Sequence, residues 1–152
     1  MAESTFAVLN TIGTLTAKEG IEIKFSIDSY KGYKYVSIRK YLKSETYSGP
    51  TKEGITLSPE IVGKISTAIA AMPQDYKEVQ ECEIGKYAKK QGLSIVLRVS
   101  SYMGSKGIDL RQWQEDESYT GWTKKGIRMP IEKLSEVKEL FAKTAKYFEE
   151  NK

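Results

Sequence analysis

Apolar and polar residues alternate strictly along IEIKFSID (21–28), where Ile21, Ile23, Phe25 and Ile27 share one face. They do so again along LSIVLRVS (93–100), through Leu93, Ile95, Leu97 and Val99. A period of two marks a strand with one buried face. Each run leads through a glycine-bearing turn, YKGYK (30–34) or YMGSK (102–106), into another strand, YVSIRKY (35–41) or GIDLRQW (107–113). Gly20 and Gly92 sit where an earlier hairpin turns. Short fourth strands are expected at GITL (54–57) and GIRM (126–129), each after a loop. The period then becomes helical. Ser58-Pro59 is an N-cap and first-turn pair, and Ile61, Ile65, Ile69 and Met72 form one stripe. In PIEKLSEVKELFAKTAKYFEE the stripe is Leu134, Phe141 and Phe148.

These elements are the same unit written twice. The phrase YSGPTKEGI (47–55) returns as YTGWTKKGI (119–127), and at that offset 18 of the 49 positions from 12 to 60 are identical without a gap. The expected class is α+β, a β-β-β-β-α unit repeated: 1–72, a linker over 73–81 (QDYKEVQE after Pro73), and 82–152. A unit of this size buries too little surface alone, because its open sheet and single-striped helix both need cover. Two copies in one chain supply it mutually. The chain should therefore form an intramolecular pseudo-two-fold dimer, a monomer in solution, with helices packed together and curved antiparallel sheets exposed.

Composition narrows the chemistry. The 152 residues carry a net charge of +4 and no histidine, which removes Ser-His and Cys-His catalytic pairs and the common zinc sites. No apolar run approaches a membrane span, and the start MAESTFAV lacks a basic segment followed by an apolar core, so no membrane is expected as a partner. The lone Cys82 permits no internal disulfide and fits a reducing compartment, hence a cytoplasmic protein, nucleoid-associated in a bacterium or nuclear in a eukaryote. The basic balance, with a pI near 9.0, leans toward a polyanionic partner.

Several motifs stand in a recognisable order: Ile84-Gly85-Lys86, then Ile108-Asp109-Leu110-Arg111-Gln112-Trp113, then Lys124-Lys125-Gly126-Ile127 before a proline-started helix. The first copy repeats the order with Val36-Ser37-Ile38-Arg39-Lys40-Tyr41, Lys52-Glu53-Gly54-Ile55 and Ser58-Pro59-Glu60. The chain resembles the positive cofactor 4 (transcriptional coactivator p15) family of single-stranded-DNA-binding proteins over roughly 8–72 and 80–149. The resemblance implies units that pair through their helices and grip unwound DNA on exposed sheet faces. Leu42 and Gln114 stand where that family has a stacking tryptophan, so stacking here rests on other rings. Glu53 in place of the second basic residue makes the halves unequal.

Holding a single strand takes cations for phosphates and flat rings for bases on an exposed face. With Val36 and Ile38 inward, Tyr35, Ser37, Arg39 and Tyr41 point outward. With Ile108 and Leu110 inward, Asp109, Arg111 and Trp113 do. Tyr30 and Tyr102, where the family has an aromatic, are expected to cap the groove. Lys52, Lys124, Lys125 and Arg128 would line the loop and fourth strand, and Lys86, Lys89, Lys90 and Arg98 extend the track. Glu22 and Asp28 make the first copy the poorer phosphate surface, so the second copy is expected to contribute more. Trp122, with Pro50 at its equivalent, is read as a local prop. An outward tyrosine is also, in the ordinary case, simply a good strand former.

The function expected is sequence-tolerant binding of single-stranded DNA or RNA in replication, repair, recombination or transcription, with proteins of replication or transcription as further partners. No cofactor, metal or catalytic residue is expected. The alternative is a transcriptional cofactor or protein-interaction scaffold with weak nucleic-acid contact. A nuclease using Asp28 and Asp109 is disfavoured, since Asp28 aligns with Ser100 and Asp109 with Ser37 rather than with another carboxylate.

Overall fold

The structure, a computed structural model, describes residues 6–151; residues 1–5 and 152, the outer ends of the two expected repeats, lie outside the described residues. The first repeat comprises β1 (Phe6–Lys18), β2 (Ile21–Tyr30), β3 (Tyr33–Lys43), β4 (Ser48–Leu57) and α1 (Pro59–Ala70). The second comprises β5 (Cys82–Lys90), β6 (Leu93–Tyr102), β7 (Ser105–Glu115), β8 (Thr120–Pro130) and α2 (Leu134–Glu150). All eight strands join in one antiparallel sheet of order β1-β2-β3-β4-β8-β7-β6-β5. The two halves meet where Gly54 of β4 pairs with Gly126 of β8.

Tight turns place β2 against β3 and β6 against β7. Lys31-Gly32 and Met103-Gly104 all take positive φ, between 51° and 84°. That is the pattern of a two-residue hairpin whose twist matches its strands. The alternation then puts Ile23, Phe25, Ile27, Val36 and Ile38 on the helix side, with Ile95, Leu97, Val99, Ile108 and Leu110 as their counterparts, all buried. Ser58 caps α1 by accepting from the Ile61 amide at 3.2 Å, and the helix ends just before Pro73.

Each helix covers strands of the other repeat. α2 packs on β1 and β2, and α1 packs on β5. Phe141 of α2 meets Phe25 of β2 edge to face, with ring centroids 5.1 Å apart. At Gly13, a Cβ would lie 2.7 Å from the Leu140 side chain, so glycine lets α2 approach β1 closely. The repeats are thus mutually dependent, for the reason the small size of one unit requires. The segment between them is not loose either. It forms a 3-10 turn at Tyr76–Glu78, buries Val79 and receives a hydrogen bond from Lys106 Nζ at the Val79 carbonyl.

One expectation about the elements needs correcting. The fourth strands are not short stretches after a loop. They run over Ser48–Leu57 and Thr120–Pro130, so most of the repeated phrase lies within the sheet.

Candidate nucleic-acid interface

The repeated phrase builds a bulged strand end. Tyr47 Oη donates to the Pro50 carbonyl and Tyr119 Oη to the Trp122 carbonyl, each at 2.6 Å. Gly49 and Gly121 adopt φ of 153° and 151°, and a Cβ at either would lie 3.1 or 2.8 Å from that hydroxyl. The threonine follows. Thr51 Oγ1 donates to the Lys40 carbonyl at 2.9 Å and accepts from the Glu53 amide at 3.2 Å, and Thr123 Oγ1 accepts likewise from Lys125. As β3 advances from Arg39 to Tyr41, β4 runs from Gly54 to Pro50; β7 and β8 repeat the mismatch between Arg111–Gly126 and Trp113–Trp122. The extra residues bulge, which leaves Lys52 and Lys124 exposed. The phrase is repeated because the same bulge is built on both sides of the seam.

On the face away from the helices, the strand register forms one continuous row. Lys24 pairs with Arg39, Arg39 with Gly54, Gly54 with Gly126, Gly126 with Arg111, Arg111 with Val96, and Val96 with Lys86. Arg39 and Arg111 lie three strand spacings apart, roughly 14 Å along the sheet. The glycines between them matter. A Cβ at Gly126 would lie 2.7 Å from Arg111 Cζ, so the guanidinium rests directly on the seam. Because β4 and β8 are antiparallel, Tyr41 with Pro50 and Trp113 with Trp122 fall on opposite sides of this row.

In the second repeat this face is filled by its own side chains. Asp109 is only 2% exposed although it points away from the helices, because Arg98 covers it at 3.1 Å and Arg111 at 3.3 Å. Arg98 also lies 4.3 Å over the Trp122 ring, which packs edge to face on Trp113 at 4.8 Å. Lys86 reaches toward Trp113 at 5.9 Å. Arg128 lies across Gly107 and donates to the Ser100 hydroxyl and to the Ser100 and Ser105 carbonyls.

The first repeat carries smaller residues at the matching positions. Ser26, Ser37 and Pro50 stand where the second has Arg98, Asp109 and Trp122. A hollow of about 270 Å³ remains, walled by Phe6, Val8, Tyr41 and Pro50, with Ser26, Asp28 and Ser37 in its lining. Lys24 stands 4.3 Å over the Tyr41 ring, and Arg39 Nη1 donates to the Thr51 carbonyl at 2.9 Å. Asp28 is 5% exposed, and Ser26 Oγ donates to its Oδ1 at 3.0 Å. Burial pushes the Asp28 carboxyl above the usual carboxylate range, while the Ser26 hydrogen bond and the Arg39 charge pull it back. Tyr35, paired with Asp28 across β2 and β3, is held above the ordinary phenol range by burial and then by that carboxylate.

Of the expected contact residues, Arg39, Tyr41, Tyr35, Lys86, Arg98, Arg111, Trp113 and Arg128 lie on this face by register and contact. Lys52 and Lys124 project from the bulges beside it. Tyr30 and Tyr102 lie exposed at the hairpin tips, remote from the central row, and Tyr30 carries Lys31 at 5.3 Å over its ring. Lys125 is different. It neighbours Lys89, whose Nζ donates to Gln112 at 3.3 Å, and Gln112 alternates with Arg111 and Trp113, so this group sits on the helix side. Burial, then Lys125 and Lys90, lowers the Lys89 ammonium from its ordinary range. The first-repeat counterpart is the Lys40–Glu53 ion pair at 2.9 Å, so Glu53 does not weaken the outward face. Two residues of the face escape the sequence reading. Lys24 follows from the alternation that marked Glu22 and Asp28, and Trp122 is no isolated prop but part of the aromatic pair.

The arrangement presents cations in a line with rings beside them and carries no cluster of carboxylates suited to a metal among the described residues. Nor is any described helix long and apolar enough to cross a membrane. The family model described as Transcriptional Coactivator p15 (PC4) matches residues 17–66 and 89–140, one stretch in each repeat. No curated protein matches the chain.

Proposed function

The chain belongs to the transcriptional coactivator p15 (PC4) family, and on that premise we propose that it binds single-stranded DNA, with RNA as a competing ligand, on the outward sheet face. The observation that carries this reading is the row Lys24–Arg39–Gly54–Gly126–Arg111–Val96–Lys86, which crosses both repeats without interruption. Phosphates follow the cations, and bases turn toward Tyr41, Trp113 and Trp122. Each well-stacked base contributes about 1–3 kcal/mol, whatever its identity. A duplex hides its bases from such rings and should bind less well. The chain acts as a monomer with its two-fold partner built in, near nucleoid or nuclear DNA, in replication, repair, recombination or transcription.

Greater positive charge favours the second repeat as the stronger half, but Asp109 offsets two of its arginines, so both halves contribute. A fluorescence-anisotropy titration of a labelled oligo-dT, competed with duplex at two salt concentrations, tests the reading. Tight binding that weakens with salt and resists duplex is expected. Equal competition by duplex, or no binding at low salt, would remove single-stranded nucleic acid as the ligand.

A further inference from the structure

Resting on the proposed single-strand binding, we infer that the hollow of the first repeat is a base-reading subsite, in which the Asp28 carboxylate selects guanine. The scaffold is the same in both repeats, but only one hollow is open. Arg98, Asp109 and Trp122 close the second by contacts among themselves. Ser26, Ser37 and Pro50 leave the first at about 270 Å³, near the lower end of small-ligand cavities. Tyr41, Pro50, Phe6 and Val8 give it apolar walls against which a base can lie.

The lining then holds an acceptor that binding nucleic acid in general does not require. A buried carboxylate repels phosphate, yet Asp28 is nearly covered within a site otherwise suited to polyanions. Its counterpart Ser100 is occupied by Arg128, whereas among the described residues Asp28 is engaged at Oδ1, by the Ser26 hydroxyl. A carboxylate with one oxygen open and the other held by a hydroxyl fits a base edge that offers adjacent donors. Guanine offers two, N1–H and the N2 amino group. Cytosine and adenine each place a ring acceptor beside the amino donor, and thymine flanks its single N–H with two carbonyls. The donor–acceptor match therefore favours guanine, with the Ser37 hydroxyl beside the carboxyl as a further polar group.

The test uses the full chain and oligo-dT carrying one central dG, dA, dC or deoxyinosine, read by competition anisotropy. The single dG should bind roughly tenfold more tightly than unbroken oligo-dT, with inosine, which keeps N1–H but lacks the amino group, in between. Asp28→Asn should remove the preference and leave oligo-dT binding intact. Pro50→Trp, which introduces the ring the second repeat already has, should also remove the preference, by filling the hollow, and circular dichroism checks that both variants fold. Equal affinity for all oligonucleotides, or a guanine preference that survives both substitutions, overturns the subsite while single-strand binding stands. Failure of oligo-dT itself to bind overturns the reading on which the subsite rests.

Discussion

At matching positions of the two repeats, Arg98, Asp109, Arg111 and Trp122 stand against Ser26, Ser37, Arg39 and Pro50. The backbone around them is shared: the same hairpins, the same bulge, the same glycine at the seam. In the second repeat a buried carboxylate gathers two guanidiniums into a fixed layer and a tryptophan seals the space. In the first the carboxylate has moved to Asp28, Lys24 and Arg39 have no carboxylate within ion-pair distance among the described residues, and the space is open. Duplication inside one chain frees the halves to diverge, because each needs only to keep the packing surface the other requires. One half is filled and basic on this face, the other concave.

The comparison can be broken most severely at its shared row. Arg39→Ala combined with Arg111→Ala should lower oligo-dT affinity by about one to two orders of magnitude, and reduce the salt slope by roughly 1.4, two contacts at about 0.7 each. Of the single substitutions, Arg39→Ala should cost more affinity, since Asp109 already offsets part of the Arg111 charge. Anisotropy across a salt series measures both.

Next in size is the fixed layer itself. Asp109→Asn leaves Arg98 and Arg111 facing each other without a counter-ion. Breaking a buried pair costs about 3–5 kcal/mol, but both arginines retain solvent contact, so about 2 kcal/mol is expected. Urea unfolding would show it, and Ser37→Ala at the matching position should produce a far smaller change. Trp122→Pro copies the first repeat into the second. It removes a ring pair and a cation–π contact worth about 1–2 kcal/mol together, and opens the second hollow without changing the seam.

The smallest effect is a pH dependence confined to the first repeat. Asp28 has a folded pKa raised above its unfolded value, chiefly by burial. The folded state therefore holds its proton more tightly, and the ionised carboxylate opposes folding once pH exceeds the raised value. Asp28→Asn should stabilise the chain modestly at neutral pH, less as pH falls through that raised pKa, and not at all below the ordinary carboxylate range. Lys24, Arg39 and Tyr35 are the charged or titratable groups beside it. Thermal unfolding of both proteins at several pH values checks the sign.

Much of this was legible in the residues. Strand alternation and the repeat at a single offset identified the inward positions, the hairpins and the helical stripes, because burial on one face imposes a period. The outward direction of Arg39, Arg111 and Trp113 followed from the same parity. What parity could not convey lay in the bulges. The sequence of 47–55 looks like a loop, rich in glycine, proline and threonine; pairing with β3 makes it a strand, and the Tyr47 and Thr51 hydrogen bonds hold its bulge. The bulge spans four residues of β8 against two of β7, so Trp122 is again paired with Trp113 on the outward face, while Lys125, next to Gly126, lies on the helix side. The Arg98–Asp109–Arg111 layer was hidden for another reason: its members are far apart in sequence and meet through the pairing of β6 with β7.

If the proposed binding holds, nucleic acid lies on the sheet face away from the helices, across the seam. Amide chemical-shift mapping of the labelled chain during titration with oligo-dT tests it most directly. The largest shifts are expected along β3, β4, β7 and β8 around Arg39, Gly54, Arg111 and Gly126, with both helices little changed. Shifts confined to α1 and α2, with the seam undisturbed, would contradict it.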